Sequence, residues 1–582
     1  MQRESVLKSL KCIFKIQLTT TIVLLVFSLC FINVSYPIFL RILEPFLLEN
    51  QVDFTDFSRR FVTSQRYLHI QLIVLFIAIF NSIFTLLSFR FRPKTEAFFY
   101  RQLLELLELK TSIKRGFIKV SKTEKRVFSI SLMLFLLLNV GSIISFPLHI
   151  DEAFSYVFLV DRGFGVTLSY YPGPNNHVAY LLLCSIVGIF TDNPLLSMRF
   201  PVLIISLLFF VQLYLFLKSF SNWKASLLST WLFFLTPYGM FYAAHGRGYL
   251  LFCSLILIVL TNGTQCLLKG RYYNQLLLMG AATLGLFTVP TFIYPLASLF
   301  LLWLFIAFKT KKYEKVKLFL IAAILIGVST IVLYLPIIIF NGVDAIINNS
   351  WVQTLSYKEW LSQFPNYLSD LLQFPFGEGI FSTVLFLLNF LIGLAIWFKN
   401  RKLITKVTAV YIAGLLLTTV LPLLFISIQA VLPPIRTWLY QLILTSVLTS
   451  LVFTEIEKKI ISAKYLLPLL FVFIMGFFSI KNLYNDWSSE GNIYKQVDIF
   501  TEKLLEKKAT RVFIGKDIYN VFLRLEYLQA GLQVEIETDN KKLSANFEYI
   551  VLPKMQLLPK NLNFVKIYGD DYIILYEKSS SR

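Results

Sequence analysis

The residues best suited to do chemistry are Asp151 and Glu152, in Pro147-Leu148-His149-Ile150-Asp151-Glu152-Ala153, directly after a run of apolar residues. Beside hydrocarbon an ionisable side chain costs about 2.5–3.5 kcal/mol unless it is paired or reaches water, so two adjacent carboxylates there call for a use. A carboxylate that reaches a hydroxyl within ~3 Å can take its proton, and neighbouring carboxylates push each other's titration apart. The plain alternative is a solvated pair at a helix end. Arginine supplies the complementary chemistry, a permanent charge on a planar fork of donors that matches phosphate oxygens. Arg199 in Arg199-Phe200-Pro201, Arg247 in His245-Gly246-Arg247-Gly248-Tyr249 and Arg436 in Pro433-Pro434-Ile435-Arg436 each stand at the edge of an apolar run.

The elements that position these residues are membrane spans. The chain of 582 residues is 56% hydrophobic and only 15% charged, and long uncharged runs recur from end to end, which excludes an ordinary soluble enzyme. A net charge of +21 would suggest nucleic acid in a soluble protein. Here the Lys and Arg residues sit in short clusters between apolar runs, as cytoplasmic loops do, so no nucleic-acid partner is expected and the partner is the lipid bilayer. The five cysteines have no CxxC spacing, which leaves neither a disulfide framework nor a zinc site.

Residues 16–40 form the first apolar run, preceded by Lys8, Lys11 and Lys15, and are expected to be a retained helix with a cytoplasmic N-terminus. A second run, 68–89, leads into the most basic stretch, Arg90 to Arg126, in which Phe98 and Leu103 to Leu109 suit a helix on the inner membrane surface or one packed on its neighbours. The next span, 127–146, leaves this cytoplasmic loop, so Asp151 and Glu152 emerge on the outer face of a plasma or inner membrane. The run from His177 to Phe190 is short for a span and is placed on the outer surface as an interfacial helix. With that choice the spans alternate as 200–217, 225–241, 248–268, 272–289, 291–308, 317–340, 380–397, 407–429, 437–453 and 465–481, with the basic loops on one side. The expectation is thirteen spans in all.

Two pieces face outward. Residues 341–379, with Trp351, Trp360 and Pro365, form a loop long enough to be a lid. Residues 482–582 change composition and predict a helix over 492–508, a strand at 511–515, a helix near 517–530 and strands near 532–537, 547–552 and 571–577. The fold class is therefore an all-α polytopic membrane protein with a small extracytoplasmic α/β domain. The divisions are 1–126, a two-helix membrane segment with its basic region; 127–481, the membrane module with the candidate site; and 482–582, the outer domain.

The topology gathers His149, Asp151, Glu152, the Tyr170-Tyr171-Pro172-Gly173-Pro174-Asn175-Asn176-His177 segment, Arg199, His245 to Tyr249 and Arg436 on one face. In order and spacing these features resemble the glycosyltransferase C superfamily, within it the bacterial relatives of protein O-mannosyltransferases and of aminoarabinose transferases. The resemblance covers roughly residues 127–480 and rests on the Asp-Glu pair after a span, the outer interfacial helix after Pro172 to His177, the Arg-x-Pro at 199–201 and the Arg-x-Tyr at 247–249. One departure is His245, where relatives often carry an acidic residue two before that arginine.

The resemblance implies an inverting transfer of a hexosyl or pentosyl group from a polyprenyl phosphate donor to an extracytoplasmic acceptor. Asp151 would be the base, Glu152 would orient the acceptor or tune its neighbour, and Arg247 followed by Arg436 would hold the leaving phosphate. His149, Tyr171, Asn176, His177, Arg199, His245 and Tyr249 would bind substrate. No cofactor is expected; His149-Ile150-Asp151 leaves a divalent metal as the weaker reading. The rival from another class is a transporter or flippase, which would place its polar groups near the midplane on broken helices in two related halves, whereas here they cluster at one surface.

Overall fold

The structure is a computed structural model. It describes residues 2–48, 64–93, 120–173, 176–270, 272–347, 354–400, 405–459 and 497–539, most of 542–579, and single residues around 96–100 and 470–481. Among the described residues nine helices are long and apolar enough to cross a membrane: Phe14–Ile32, Ile70–Arg90, Lys122–Ser145, Pro194–Leu217, Tyr249–Leu268, Pro290–Lys309, Tyr313–Asn341, Ile380–Lys399 and Lys406–Gln429. Two of them form the centre of the bundle. In Tyr249–Leu268 67% of the apolar stretch is buried and in Pro194–Leu217 56%, against 11% in Ile380–Lys399, whose side chains face outward.

Several expected spans take other forms. The stretch 225–241 is two helices, Trp223–Phe234 and Pro237–Ala244, because Pro237 lacks the N–H that would continue the first and instead opens the second behind the Thr236 cap. The helix Tyr272–Thr288 is 17 residues long, and Gln441–Lys459 takes Glu455, Glu457 and two lysines into its last turns. Most of 465–481, the expected surface helix over 98–109 and the first part of the expected helix over 492–508 lie outside the described residues. The segment from His177 is a short helix, Val178–Gly188, packed between the helices Gly163–Ser169 and Pro194–Leu217.

The turn that carries the acidic pair follows from local sequence. Pro147 drives Phe146 into an extended conformation (φ −94°, ψ 133°) and ends the helix Lys122–Ser145. Three residues later a new helix, Ile150–Ser155, opens on a capping box with histidine in the place of Ser or Thr. The Asp151 N–H donates to His149 Nδ1 (3.1 Å), and the His149 N–H donates to Glu152 Oε2 (2.9 Å). A π-helical turn, Tyr156–Val160, continues it. At the opposite end of the same span, Glu124 accepts from Tyr214 (2.6 Å) and pairs with Lys218, so the helices Lys122–Ser145 and Pro194–Leu217 are tied at that end by a charge cluster.

The expected outer loop 341–379 contains regular structure. Its described part holds the amphipathic helix Tyr357–Gln373, capped by Ser356 and Glu359, which buries Trp360, Tyr367 and Leu371. In the last domain five strands lie in the order β2-β1-β3-β5-β4, with β1 (Arg511–Ile514), β2 (Glu535–Glu537), β3 (Tyr549–Pro553), β4 (Phe564–Gly569) and β5 (Ile573–Lys578). β1 is parallel to β2 and β3, and β5 is antiparallel to β3 and β4. The strand β4 was not expected: it is a mostly exposed edge strand and lacks the apolar alternation of a half-buried one. The helix Asp517–Gln529 links β1 to β2 and packs against Ile150–Ser155, so this domain sits at the Asp151 end of the bundle.

This arrangement, with the basic loops taken as cytoplasmic, predicts that reporter fusions after residues 126 and 482 read opposite sides of the membrane. Both on one side would overturn it.

Candidate active site

Arg199 and Glu152 form the centre of the site region, and both side chains are fully buried. Arg199 spends all five of its donors. Nε and Nη2 form a fork on Glu152 (2.9 and 2.6 Å), Nη1 donates to the carbonyls of Ile143 (2.9 Å) and Phe146 (2.8 Å), and Nη2 also donates to that of Pro147 (2.7 Å). The arginine therefore caps the end of Lys122–Ser145, whose last carbonyls have no partner within the helix. Glu152 is equally full, since it also accepts from the N–H groups of His149 (2.9 Å) and Gly246 (2.5 Å). Burial by itself would raise its pKa, but the charge and hydrogen bonds of Arg199 prevail and hold the carboxyl well below the usual carboxylate range.

The segment His245 to Tyr249 is fixed against this pair. A Cβ at Gly246 would come within 2.6 Å of the Met198 carbonyl and 2.9 Å of Glu152 Oε1; at Gly248 it would meet Thr288 at 2.8 Å and His177 Nδ1 at 2.9 Å. Only glycine permits these approaches. His245 stacks on Phe241 at 3.7 Å, with its Nδ1 2.9 Å from the Phe241 carbonyl. Burial pushes its pKa down to about 3, Arg199 and His149 act in the same direction, and Glu152 opposes them, so the ring is neutral at pH 7.

Asp151 has a different environment from its neighbour. Its side chain is 21% exposed, with Arg247 Nη2 3.5 Å from Oδ2. Arg247 is itself buried, at 4%. Across from it Arg436, half-buried, donates from Nε to the Tyr249 hydroxyl (2.8 Å). Burial works against the charge of Arg436, but Tyr249, Tyr242 and Asp151 around it more than offset this and raise its pKa. His177 lies beneath, buried, its ring edge-to-face with Tyr249 at 4.6 Å. It accepts the Gly248 N–H at Nδ1 (2.9 Å), and burial together with Arg247 and Arg436 holds its pKa well below the ordinary value despite Asp151. The neutral ring therefore carries its proton on Nε2, which is buried and has no hydrogen-bond partner among the described residues. The same is true of Oδ1 of Asn176, whose Nδ2 donates to the Tyr170 carbonyl (2.8 Å). Tyr171 is buried nearby, and its N–H donates to Asn341 at 3.4 Å.

The structure thus brings all eleven candidate residues to one end of the bundle but sorts them. Arg199, expected to bind substrate, and Glu152, expected to orient the acceptor, are enclosed and spent on each other and on backbone groups. His149 and His245 are a helix cap and a stacked packing residue. The N–H groups beside Arg247 are occupied: Gly246 donates to Glu152, Gly248 to His177, and the Arg247 N–H to the His245 carbonyl (2.7 Å). Asp151, Arg247, Arg436, Tyr249, Tyr171, Asn176 and His177 remain together. Among the described residues no group of three or more His, Cys, Asp or Glu stands where it could hold a metal ion.

One positioning residue was missed. The Tyr367 hydroxyl donates to the Pro433 carbonyl (2.8 Å) and accepts from Trp438 Nε1 (2.6 Å), so it bridges the two ends of the turn that carries Arg436. The signal was present in the spacing of Trp360, Phe364, Tyr367 and Leu371, one face of a helix.

No protein-family model and no curated protein sequence matches this chain. Among solved structures it is similar in fold to ArnT from Cupriavidus metallidurans. In the apo state the TM-score is 0.52, at 11% identity, over 78% of this chain and 98% of that one. For ArnT bound to undecaprenyl phosphate the TM-score is again 0.52, at 10% identity, over 79% and 99%. The likeness is one of fold, and it bears out the expected fold class, a polytopic helical membrane bundle with a small additional domain.

The buried pair and the buried histidine each give a test. Glu152→Gln or Arg199→Met leaves the other partner uncompensated and is expected to lower stability by about 3–5 kcal/mol, with part recovered in the double variant. Thermal or denaturant unfolding in detergent measures this. His245 protonates near pH 3 when folded and near 6.5 when unfolded, so its contribution is intact above about pH 6.5 and is lost as the pH falls towards 3, at about 1.4 kcal/mol per unit. His245→Phe is expected to flatten that part of the stability profile; an unchanged slope would assign it to other groups.

Proposed function

We propose that this protein is a membrane glycosyltransferase that passes a sugar from a polyprenyl phosphate carrier to an acceptor on the extracytoplasmic face. The observation that carries the proposal is the division within the acidic pair: Glu152 is sealed by Arg199, while the partly exposed Asp151 faces two arginines. The undecaprenyl phosphate bound to ArnT, a protein of similar fold, supports the choice of carrier.

In this reading the acceptor hydroxyl gives its proton to Asp151 as its oxygen attacks the anomeric carbon. The bond to the phosphate oxygen breaks on the opposite face, so configuration inverts and the electron pair leaves with the lipid phosphate. Arg247 and Arg436 neutralise the departing charge. Before the donor binds, Arg247 is turned towards Asp151; a phosphate draws part of that positive charge away and leaves the carboxylate a better proton acceptor. The enclosed Nε2–H of His177 and Oδ1 of Asn176, each unsatisfied at a cost of about 1–3 kcal/mol, are the donor and the acceptor left over for a substrate. The step needs no cofactor. A transporter would carry its polar groups at mid-span, whereas these stand at helix ends and in the connecting turns.

Asp151→Asn removes the proton acceptor with little change of shape, and turnover is expected to fall by ~10²–10⁴-fold in a folded, inserted protein. Arg247→Lys keeps the charge and loses the fork, and Arg247→Ala loses both, so donor use should fall in the order wild type, Lys, Ala. Turnover against concentration of a polyprenyl phosphate sugar, in detergent or liposomes, reads both. Near-normal activity of Asp151→Asn would refute the assignment of the base.

A further inference from the structure

A second cationic site stands apart from these residues, on the seam between the π-helical turn Tyr156–Val160 and the helix Asp517–Gln529. Two arginines from different domains share one aromatic ring there: Cζ of Arg162 lies 5.6 Å and Cζ of Arg524 6.0 Å from the centroid of Phe158. Both side chains are half-buried. Arg524 is oriented by bonds from Nε to Asn520 Oδ1 (2.8 Å) and from Nη2 to the Ile536 carbonyl (3.4 Å). Arg162 follows Asp161, an exposed residue that acts on it electrostatically and is itself influenced by Asp192. Within 4.0 Å no carboxylate pairs with either arginine among the described residues.

Two like charges brought together in a half-buried seam oppose each other and lose hydration. Burial pushes down the pKa of both, and at Arg524 the charge of Arg162 adds to it. The contact of each with the Phe158 ring offsets only part of that loss. Among the described residues no carboxylate closes on either charge within 4.0 Å, and two guanidinium forks of fixed charge match the oxygens of a phosphate.

We propose that Arg162 and Arg524 form a binding site for a phosphate group, carried on a lipid head group or on a soluble molecule, that joins the outer domain to the membrane bundle. The site does not depend on the transfer reaction. Its consequence reaches the active site through packing, because the helix that carries Arg524 also rests on Ile150–Ser155, the helix of Asp151.

The test uses the full-length protein in detergent, with inorganic pyrophosphate as probe at constant ionic strength. The melting temperature is expected to rise with pyrophosphate and not with chloride, and Arg162→Gln and Arg524→Gln are each expected to weaken the apparent affinity at least about tenfold. Because each substitution also removes a repulsion, neither variant should melt below wild type when no anion is present. In nanodiscs, a rise on replacing phosphatidylcholine by phosphatidic acid that both variants lose assigns the phosphate to a lipid head group; a response to pyrophosphate alone assigns it to a soluble molecule. No phosphate-specific stabilisation of wild type, or variants that melt lower yet keep the full response, would overturn the proposal and leave the arginines as structural contacts of Phe158.

Discussion

The buried ion pair of Glu152 and Arg199 is the constraint on which the site region depends. One guanidinium closes the end of Lys122–Ser145, holds the capping box of the next helix and, through Glu152, fixes Gly246. Burying two charges has a large desolvation cost, and the geometry meets it by satisfying every donor of the arginine and giving each carboxylate oxygen two hydrogen bonds. The result is a rigid joint between three parts of the chain far apart in sequence. Arg247 occupies its position because Gly246 is pinned on one side of it and Gly248 on the other.

That joint explains why adjacent carboxylates have different surroundings. On a helix, neighbouring residues point about 100° apart, so when Glu152 turns inward to Arg199, Asp151 must turn elsewhere. It turns to partly open space beside Arg247. Of the two carboxylates the fold leaves only Asp151 accessible.

The cationic side of the site is supported from further away. The amphipathic helix Tyr357–Gln373 holds the Arg436 turn through Tyr367, and Asn341, at the end of the helix Tyr313–Asn341, holds the backbone at Ser169 and Tyr171 next to His177. The C-terminal domain adds a third support by resting on the Asp151 helix. The contacts of Tyr367 and Asn341 are polar and directional, which restricts a short connecting turn more tightly than burial alone.

The sequence by itself determined the class of the protein, the order of most of its helices and the list of residues to consider, because hydropathy over about 20 residues and clusters of Lys and Arg are local properties of the chain. It also marked Asp151, Arg247 and Arg436 by placing ionisable groups where apolar runs end. It did not separate Asp151 from Glu152, or Arg199 from Arg247, since each pair looks alike in charge and context along the chain. Nor did it reveal the break of the stretch 225–241 as two helices, the edge strand at Phe564–Gly569 or the part of Tyr367 in holding Arg436. Those were decided by tertiary structure, for one physical reason: the fate of a polar group depends on which partners close around it, and the partners of Glu152, His177 and Arg436 come from segments tens to hundreds of residues away.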